Sequence, residues 1–365
     1  MPKCEGPNVI TGRYGTIGEV YYHDGPCWPL NTTLYVSDFK GNSPQYVYYL
    51  LKYALKELMF GDGSDKSTVP GIDRNVLHML HVPYESSIEQ QTTIVALLSS
   101  IDSKIETNGK IIAELESLAR TIYDYWFTQF DFPDENGNPY RSSGGTMVHN
   151  NTLHRDIPKS WEVKTAAELV SINRGISYSA DELSDTGKPM INLASFNMDG
   201  TYKVSGLKRF TGIAKETKLL SPTDLVMCAT QQTPIDATGK TDVIAKTFLV
   251  PDIYEESATL SMDVVRLVER REGVRFILNQ MLRRSDYHKF ASGYASGTKI
   301  KHLDVEGALS FPIALPKNQT LLDSYATLST NLQGLISTIL KESARLTALR
   351  DWLLPFLMNG QAVIA

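Results

Sequence analysis

Ile94-Val95-Ala96-Leu97-Leu98-Ser99-Ser100-Ile101-Asp102-Ser103-Lys104-Ile105-Glu106-Thr107-Asn108 is the stretch from which the fold is read. Its apolar spacing runs on to Trp126 through Ile94, Leu98, Ile101, Ile105, Asn108, Ile112, Leu115, Ala119, Ile122 and Trp126, in alternating steps of four and three. That is a heptad seam, which keeps one apolar stripe turned toward a partner helix. The same spacing returns at Leu321, Tyr325, Leu328, Leu332, Leu335, Ile339, Glu342, Leu346, Leu349 and Leu353. A long helix with one narrow stripe cannot bury it alone, but two in one chain can bury each other. At about 1.5 Å per residue each is roughly 50 Å long. Each seam carries one polar position, Asn108 or Glu342. If the helices pair antiparallel with seam ends matched, these two meet within about a turn, and a hydrogen bond between them is expected. The alternative is that both lie at a wet edge of the seam.

Outside the seams the chain reads as β-rich. Val9-Ile10-Thr11, Glu19-Val20-Tyr21-Tyr22 and Leu34-Tyr35-Val36 are strand runs around the loop Gly12-Arg13-Tyr14-Gly15-Thr16-Ile17-Gly18. That loop has neither glycine spacing of a nucleotide site, so it reads as a loop presenting Arg13 and Tyr14, or as a plain hairpin turn. Residues 44–60 read as a helix opened by Ser43-Pro44 and closed by Gly61. His78 and His81 have no third ligand nearby. From Asp131 to Asp156 turn residues dominate, which predicts a linker, and Asn138-Pro139-Tyr140 within it reads as a turn. A second β-rich block follows, with strands at Met190–Leu193 and Asp224–Met227, a tight turn at Asp199-Gly200 and a helix over 271–284.

The chain has 365 residues, 42% hydrophobic and 21% charged, enough for two or three domains of an ordinary globular protein. Cys4, Cys27 and Cys228 lie far apart with no C-x-x-C, which suits a reducing cytosol and offers no disulfide framework. No apolar run approaches a membrane span. The net charge of −5 argues weakly against nucleic acid as a partner, but partners meet local charge. Window 266–289 is rich in arginine, and window 203–218 holds Lys203, Lys208, Arg209, Lys215 and Lys218 against Glu216 alone.

The long helices are one of several echoes. Pro7-Asn8-Val9-Ile10-Thr11 is similar to Thr223-Asp224-Leu225-Val226-Met227, and Ser67–Asp73 to Thr298–Asp304. Each half therefore reads as β-rich block, connector and long helix, a two-copy repeat with a pseudo-two-fold relation. The second block has a long stretch, from Trp161, ahead of Asp224; the first has only six residues before the matching Asn8, once Met1 is set aside. The first copy is therefore expected to be incomplete.

With these marks the chain resembles the specificity (S) subunit of Type I restriction–modification systems. The resemblance rests on Asp131-Phe132-Pro133-Asp134-Glu135-Asn136-Gly137-Asn138-Pro139-Tyr140-Arg141-Ser142-Ser143-Gly144-Gly145, on Ile157-Pro158-Lys159-Ser160-Trp161-Glu162-Val163, on Tyr14-Gly15-Thr16-Ile17-Gly18, and on the helix quoted first. It implies an α+β fold: two β-rich target-recognition domains, the first incomplete, separated by two long antiparallel coiled-coil helices. The corresponding ranges are 1–83 and 157–315 for the recognition domains, 84–130 and 316–358 for the helices, and 131–156 for the linker. It further implies a non-catalytic, cytoplasmic protein without a cofactor or membrane. Each domain would read half of a split site in double-stranded DNA, while the helices dock methyltransferase (M) subunits and restriction (R) subunits join. With a cut first domain, the first half-site is read poorly unless a second S chain completes it.

Base readers need a forked polar side chain at a loop tip, whereas phosphate contacts need only cations or small hydroxyls. On that basis the candidate base readers are Gln231, Gln232, Thr233, Ser195 and Asn197, with Lys208, Arg209 and Lys299 on phosphates. The first domain offers Arg13, Tyr14, Thr16 and Lys66. Three rival readings remain open: a coiled-coil scaffold that docks proteins without reading DNA, a degenerate S subunit, and an enzyme whose cofactor fold the residues do not reveal.

Overall fold

A computed structural model describes residues 2–13, 18–60, 72, 74–232, 243–298 and 300–362, with the side chains of 57–60 and 232 left aside. The chain forms two compact units, residues 1–109 with 342–365 and residues 110–341. The strands, in chain order, are β1 (Asn8–Gly12), β2 (Val20–His23), β3 (Thr33–Tyr35), β4 (Met147–Asn150), β5 (Arg155–Pro158), β6 (Trp161–Thr165), β7 (Val170–Arg174), β8 (Leu183–Ile191), β9 (Lys208–Phe210), β10 (Leu225–Cys228), β11 (Thr230–Gln232), β12 (Thr247–Leu249), β13 (Thr259–Leu260), β14 (Val264–Glu269), β15 (Ala295–Ser296), β16 (Ile300–Leu303) and β17 (Pro312–Pro316). The helices are α1 (Pro44–Phe60), α2 (Arg74–Met79), α3 (Ile88–Tyr123), α4 (Ala166–Leu169), α5 (Val274–Met281), α6 (Ser285–Ser292), α7 (Val305–Ala308) and α8 (Gln319–Met358).

In the first unit the end of α8 packs antiparallel on the start of α3. Arg350 Nη1 donates to Asp102 at 2.8 Å and Asn108 Nδ2 donates to Glu342 at 2.8 Å, so the two polar seam positions do meet. Asn108 is 1% exposed, whereas the Glu342 side chain is 46% exposed, so only half of the pair is dry. The α3 seam is as spaced: Ile94, Leu98, Ile101, Asn108 and Ala119 are buried and the other five positions half-buried. The α8 seam departs from its reading. Leu335 and Leu349 are 54% and 43% exposed, and Leu322, Ile336, Leu354 and Leu357 are buried instead. A straight helix turns every 3.6 residues, so a strict seven-residue repeat drifts off its stripe by about 20° per heptad.

The β-rich part of each unit is built on the same three strands. In the first unit they run β2-β1-β3, with Val9 opposite Tyr22 and Ile10 opposite Tyr35. In the second they run β12-β10-β14, with Val226 opposite both Phe248 and Arg266. A crossing bond also repeats: Ile72 N–H donates to Arg13 O at 3.0 Å, and Leu303 N–H to Ala229 O at 2.9 Å. The echoes around Asn8/Asp224 and Ile72/Leu303 are thus one structural repeat. All four β10 side chains are fully buried because its two faces serve two cores. Leu225 and Met227 join the larger one, Val226 and Cys228 the smaller.

The second unit adds to this frame. β7 pairs with β14, and β6 pairs with β17. Among the described residues of the first unit, neither the outer side of β3 nor the stretch 80–87 has a strand partner. Cys4 and Cys27, remote in sequence, sit opposite each other on a two-residue bridge, with main-chain bonds of 3.1 and 2.9 Å.

The segment read as a linker is folded. A π turn over Asp124–Thr128 ends α3, with Gln129 N–H donating to Asp124 O at 2.8 Å. The extra residue turns Phe127, Phe130 and Phe132 onto the ring of Trp161, at centroid distances of 5.6, 5.1 and 5.4 Å. Asp131 accepts from both the N–H and the hydroxyl of Ser142 at 2.7 Å, and the β4–β5 hairpin follows. The turn residues make a compact loop pinned by aromatic packing, rather than a spacer.

Candidate nucleic-acid interface

A group of exposed cations in the second unit lies between residues 203 and 215. Lys203, Lys208, Arg209 and Lys215 are exposed, and among the described residues none is paired with a carboxylate. Lys208 and Arg209 lie on β9, an edge strand held against β8. The Lys208 ammonium donates to the Tyr178 hydroxyl at 3.0 Å and lies 5.4 Å from its ring centroid. Arg209 donates to Gly187 O at 2.9 Å, which leaves other N–H groups of its fork outward. The loop after β9 has a fixed foot. Asn173 Nδ2 donates to Thr217 O at 2.7 Å, and Arg266 donates to Leu219 O at 2.9 Å and Thr217 O at 3.2 Å. Its tip carries Ile213, 98% exposed. The edge strand and its anchored loop therefore present Lys208, Arg209, Lys215 and one apolar side chain, with Lys203 on the turn before the strand, a combination suited to a polyanion.

The arginine-rich window 266–289 works inward. Arg266 pairs with Asp224 at 3.2 Å, Arg271 with Glu162 at 3.5 Å and Arg275 with Glu269. Arg270 donates to Val170 O at 3.0 Å. Arg283, its side chain 7% exposed, meets Glu116 at 2.7 Å, and Arg284 meets Asp286 at 3.0 Å and Asp124 at 3.3 Å. These arginines hold strands and helices together. A cleft of about 670 Å³ in this unit is walled by Arg283 and Arg284 with Asp124 and Asp199 and shares this ion-pair web. Burial pulls the Asp199 carboxyl up, but bonds from Thr201 and the Arg283 charge outweigh it and hold it below the usual carboxylate range.

The candidate base readers do not share one environment. Ser195 is fully buried, and its hydroxyl lies 3.4 Å from Gly206 O and 3.2 Å from Asn192 N. Asn197 is half-buried, and its amide donates to Thr201 Oγ1 at 2.9 Å, closing the Asp199-Gly200 turn. Gln231 is 4% exposed, and its Oε1 accepts from Val243 N at 2.9 Å and Ile244 N at 3.2 Å. Ser195 and Gln231 therefore lie inside the domain, where a duplex edge cannot reach them. The cause is local: a buried turn or strand end needs a polar partner, and these side chains supply it. The Gln232 main chain pairs with Ile300 on β16. In the first unit Arg13 is exposed. Tyr14, Thr16, Lys66, Thr233 and Lys299 lie outside the described residues. Sequence reasoning passed over Ile213, and over Lys301 and His302, which lie on β16 opposite Gln231 and Thr230. Only Lys301 and His302 left a signal, as polar positions inside a β-prone run.

Among the described residues no three His, Cys, Asp or Glu side chains lie where they could share a metal ion, and no helix is long and apolar enough to cross a membrane. The chain is similar to a solved Type I restriction–modification S subunit from M. genitalium, with a TM-score of 0.50 and 16% identity over 98% of this chain and 84% of that one. Residues 3–117 match the family described as the Type I restriction modification DNA specificity domain. Two relatives from Methanocaldococcus jannaschii are the MjaIX specificity subunit, 32% identical over 131 residues, and the MjaVIII specificity subunit, 27% identical over 142 residues. These alignments take in 36% and 39% of this chain, and only 28% and 30% of the relatives' lengths. Residues 3–117 are thus similar to a Type I specificity domain, and the chain aligns over less than a third of the length of either relative.

Proposed function

We propose that the chain reads DNA sequence as a non-catalytic specificity subunit. In this reading it directs M and R subunits in the cytoplasm to a split site, with one half read by each unit. The observation that carries it is the group Lys203, Lys208, Arg209 and Lys215, exposed and, among the described residues, unpaired with carboxylates on a chain whose net charge is −5. Positive charge concentrated on one strand and loop of an acidic protein marks where a polyanion approaches. Lys208 and Arg209 serve as phosphate grips, joined by Lys203 and Lys215. Base reading falls to Gln232 and Thr233, to Lys301 and His302 of β16, and to Arg13, Tyr14, Thr16 and Lys66 of the first unit, and Lys299 serves as a further phosphate grip. Asn197 supports the turn near its loop.

The deciding experiment is co-expression with the M subunit encoded alongside it, in a host free of DNA methylation, followed by long-read mapping of modified adenines. A split motif supports the reading. A palindromic motif points to two chains pairing through their second units. Absence of any motif, with the M subunit still co-purifying, favours the second reading, a docking scaffold. That second reading draws on the inward placement of Ser195 and Gln231, and on the exposed Leu349 and Trp352 of α8.

A further inference from the structure

We propose that the outer edge of β3 is a strand-addition site, and that its occupant is a strand–helix–strand segment of the kind formed by Trp161–Arg174, supplied by a second polypeptide. The internal repeat is the argument. β2-β1-β3 and β12-β10-β14 share strand order, register and the crossing bond to Ile72 or Leu303. In the second unit β7 then adds to β14, with Arg266 opposite Asn173 and Leu267 opposite Ile172. β6 covers β17, with Ala314 opposite Val163. One continuous run makes both additions. Its α4 starts with a capping box in which Thr165 and Glu168 satisfy each other, and it buries Trp161, Ala166, Leu169 and Val170.

Among the described residues both places stand open in the first unit. The bonds Arg13 N–H to Thr32 O and Val36 N–H to Val9 O turn the even residues of β3 toward β1. The N–H and C=O of Tyr35 therefore face the other way, and among the described residues nothing pairs with them. Beside that edge lies a cleft of about 660 Å³ with an apolar floor of Val9, Leu34, Val36, Leu51 and Leu77. Among the described residues the stretch matching β17 is less covered: Val82 and Pro83 are half-buried and Tyr84 is 57% exposed, whereas Ile313, Ala314 and Leu315 of β17 are all buried. A segment that pairs along β3 and drops small and branched apolar side chains into the cleft satisfies the main chain and the apolar surface together.

The proposal stands apart from DNA reading, and so does its test. The full chain is titrated with a capped synthetic peptide of sequence Trp161–Arg174, and main-chain hydrogen exchange is followed by mass spectrometry. Exchange over 34–38 and 79–85 is expected to slow at least tenfold at saturation. The same peptide with Ile172→Pro, which lacks the N–H needed in the ladder, is expected to give no protection. Leu77→Glu in the protein, which charges the cleft wall at a half-buried position, is expected to weaken the unmodified peptide at least tenfold. Absence of protection, equal protection by the proline peptide, or changes confined to the second unit would each overturn the proposal.

Discussion

Gln231→Ala removes the acceptor of two main-chain N–H groups from a side chain that is 4% exposed. The expected loss is about 1–3 kcal/mol of stability, seen as a lower urea midpoint. Lys208→Ala and Lys215→Ala act at exposed positions and leave that midpoint unchanged. Each is expected to weaken DNA binding on every sequence and to flatten the plot of log affinity against log salt by about 0.9. If Gln231→Ala alters base preference with no change in stability, its assignment as a structural acceptor is wrong. Gly206→Ala belongs with Gln231: an added Cβ would lie 1.7 Å from Ala194 O, so the turn must open and the domain is expected to lose stability. Acid acts on the same unit. Asp286, like Asp199, is pulled up by burial but held low overall, here by Arg284, and the Ser142 bonds do the same for Asp131. Carboxyls with lowered folded values contribute stability that is complete above the unfolded value of about 3.9 and is lost as pH falls through the folded ones. Urea midpoints are therefore expected to be flat down to about pH 5 and to fall below pH 4.

At the scale of the element, periodicity was the legible part. The α3 spacing marked the buried face of a helix, and α1 was legible from Ser43-Pro44 and Gly61. The α8 spacing erred at Leu335 and Leu349 because a heptad is a property of supercoiled pairs, and α8 also packs on strands and loops of its own units. The 131–156 segment was illegible for another reason. Turn residues signal where the chain bends, and carry no sign that Phe132 will stack on Trp161 at 5.4 Å. Phe132→Ala is expected to lower stability by about 3–5 kcal/mol and to open 131–145 to proteases. Base-reader candidates were the least legible, since a glutamine that caps main-chain donors and one that reads adenine look alike in sequence. The seam offers a test in the opposite direction. Asn108→Leu with Glu342→Leu replaces a bonded polar pair by apolar contact, and thermal stability is expected to rise by about 1–2 kcal/mol.

For the whole molecule, the two units share three strands and differ in what covers them. Among the described residues the β1 sheet rests on Val9, Val20, Leu55 and Ile72, whereas β10 lies between two larger cores. Amides of β1 are therefore expected to exchange with solvent well before those of β10, which residue-resolved exchange would check. The joint between α3 and α8 bears on concentration. The bond from Asn108 to Glu342 identifies one helix to the other, but it carries no mark of which molecule either helix belongs to. The same contact would form between α3 of one chain and α8 of another. At low concentration the covalent link favours self-pairing; when the protein is crowded, exchanged dimers become competitive and would keep every native hydrogen bond of the joint.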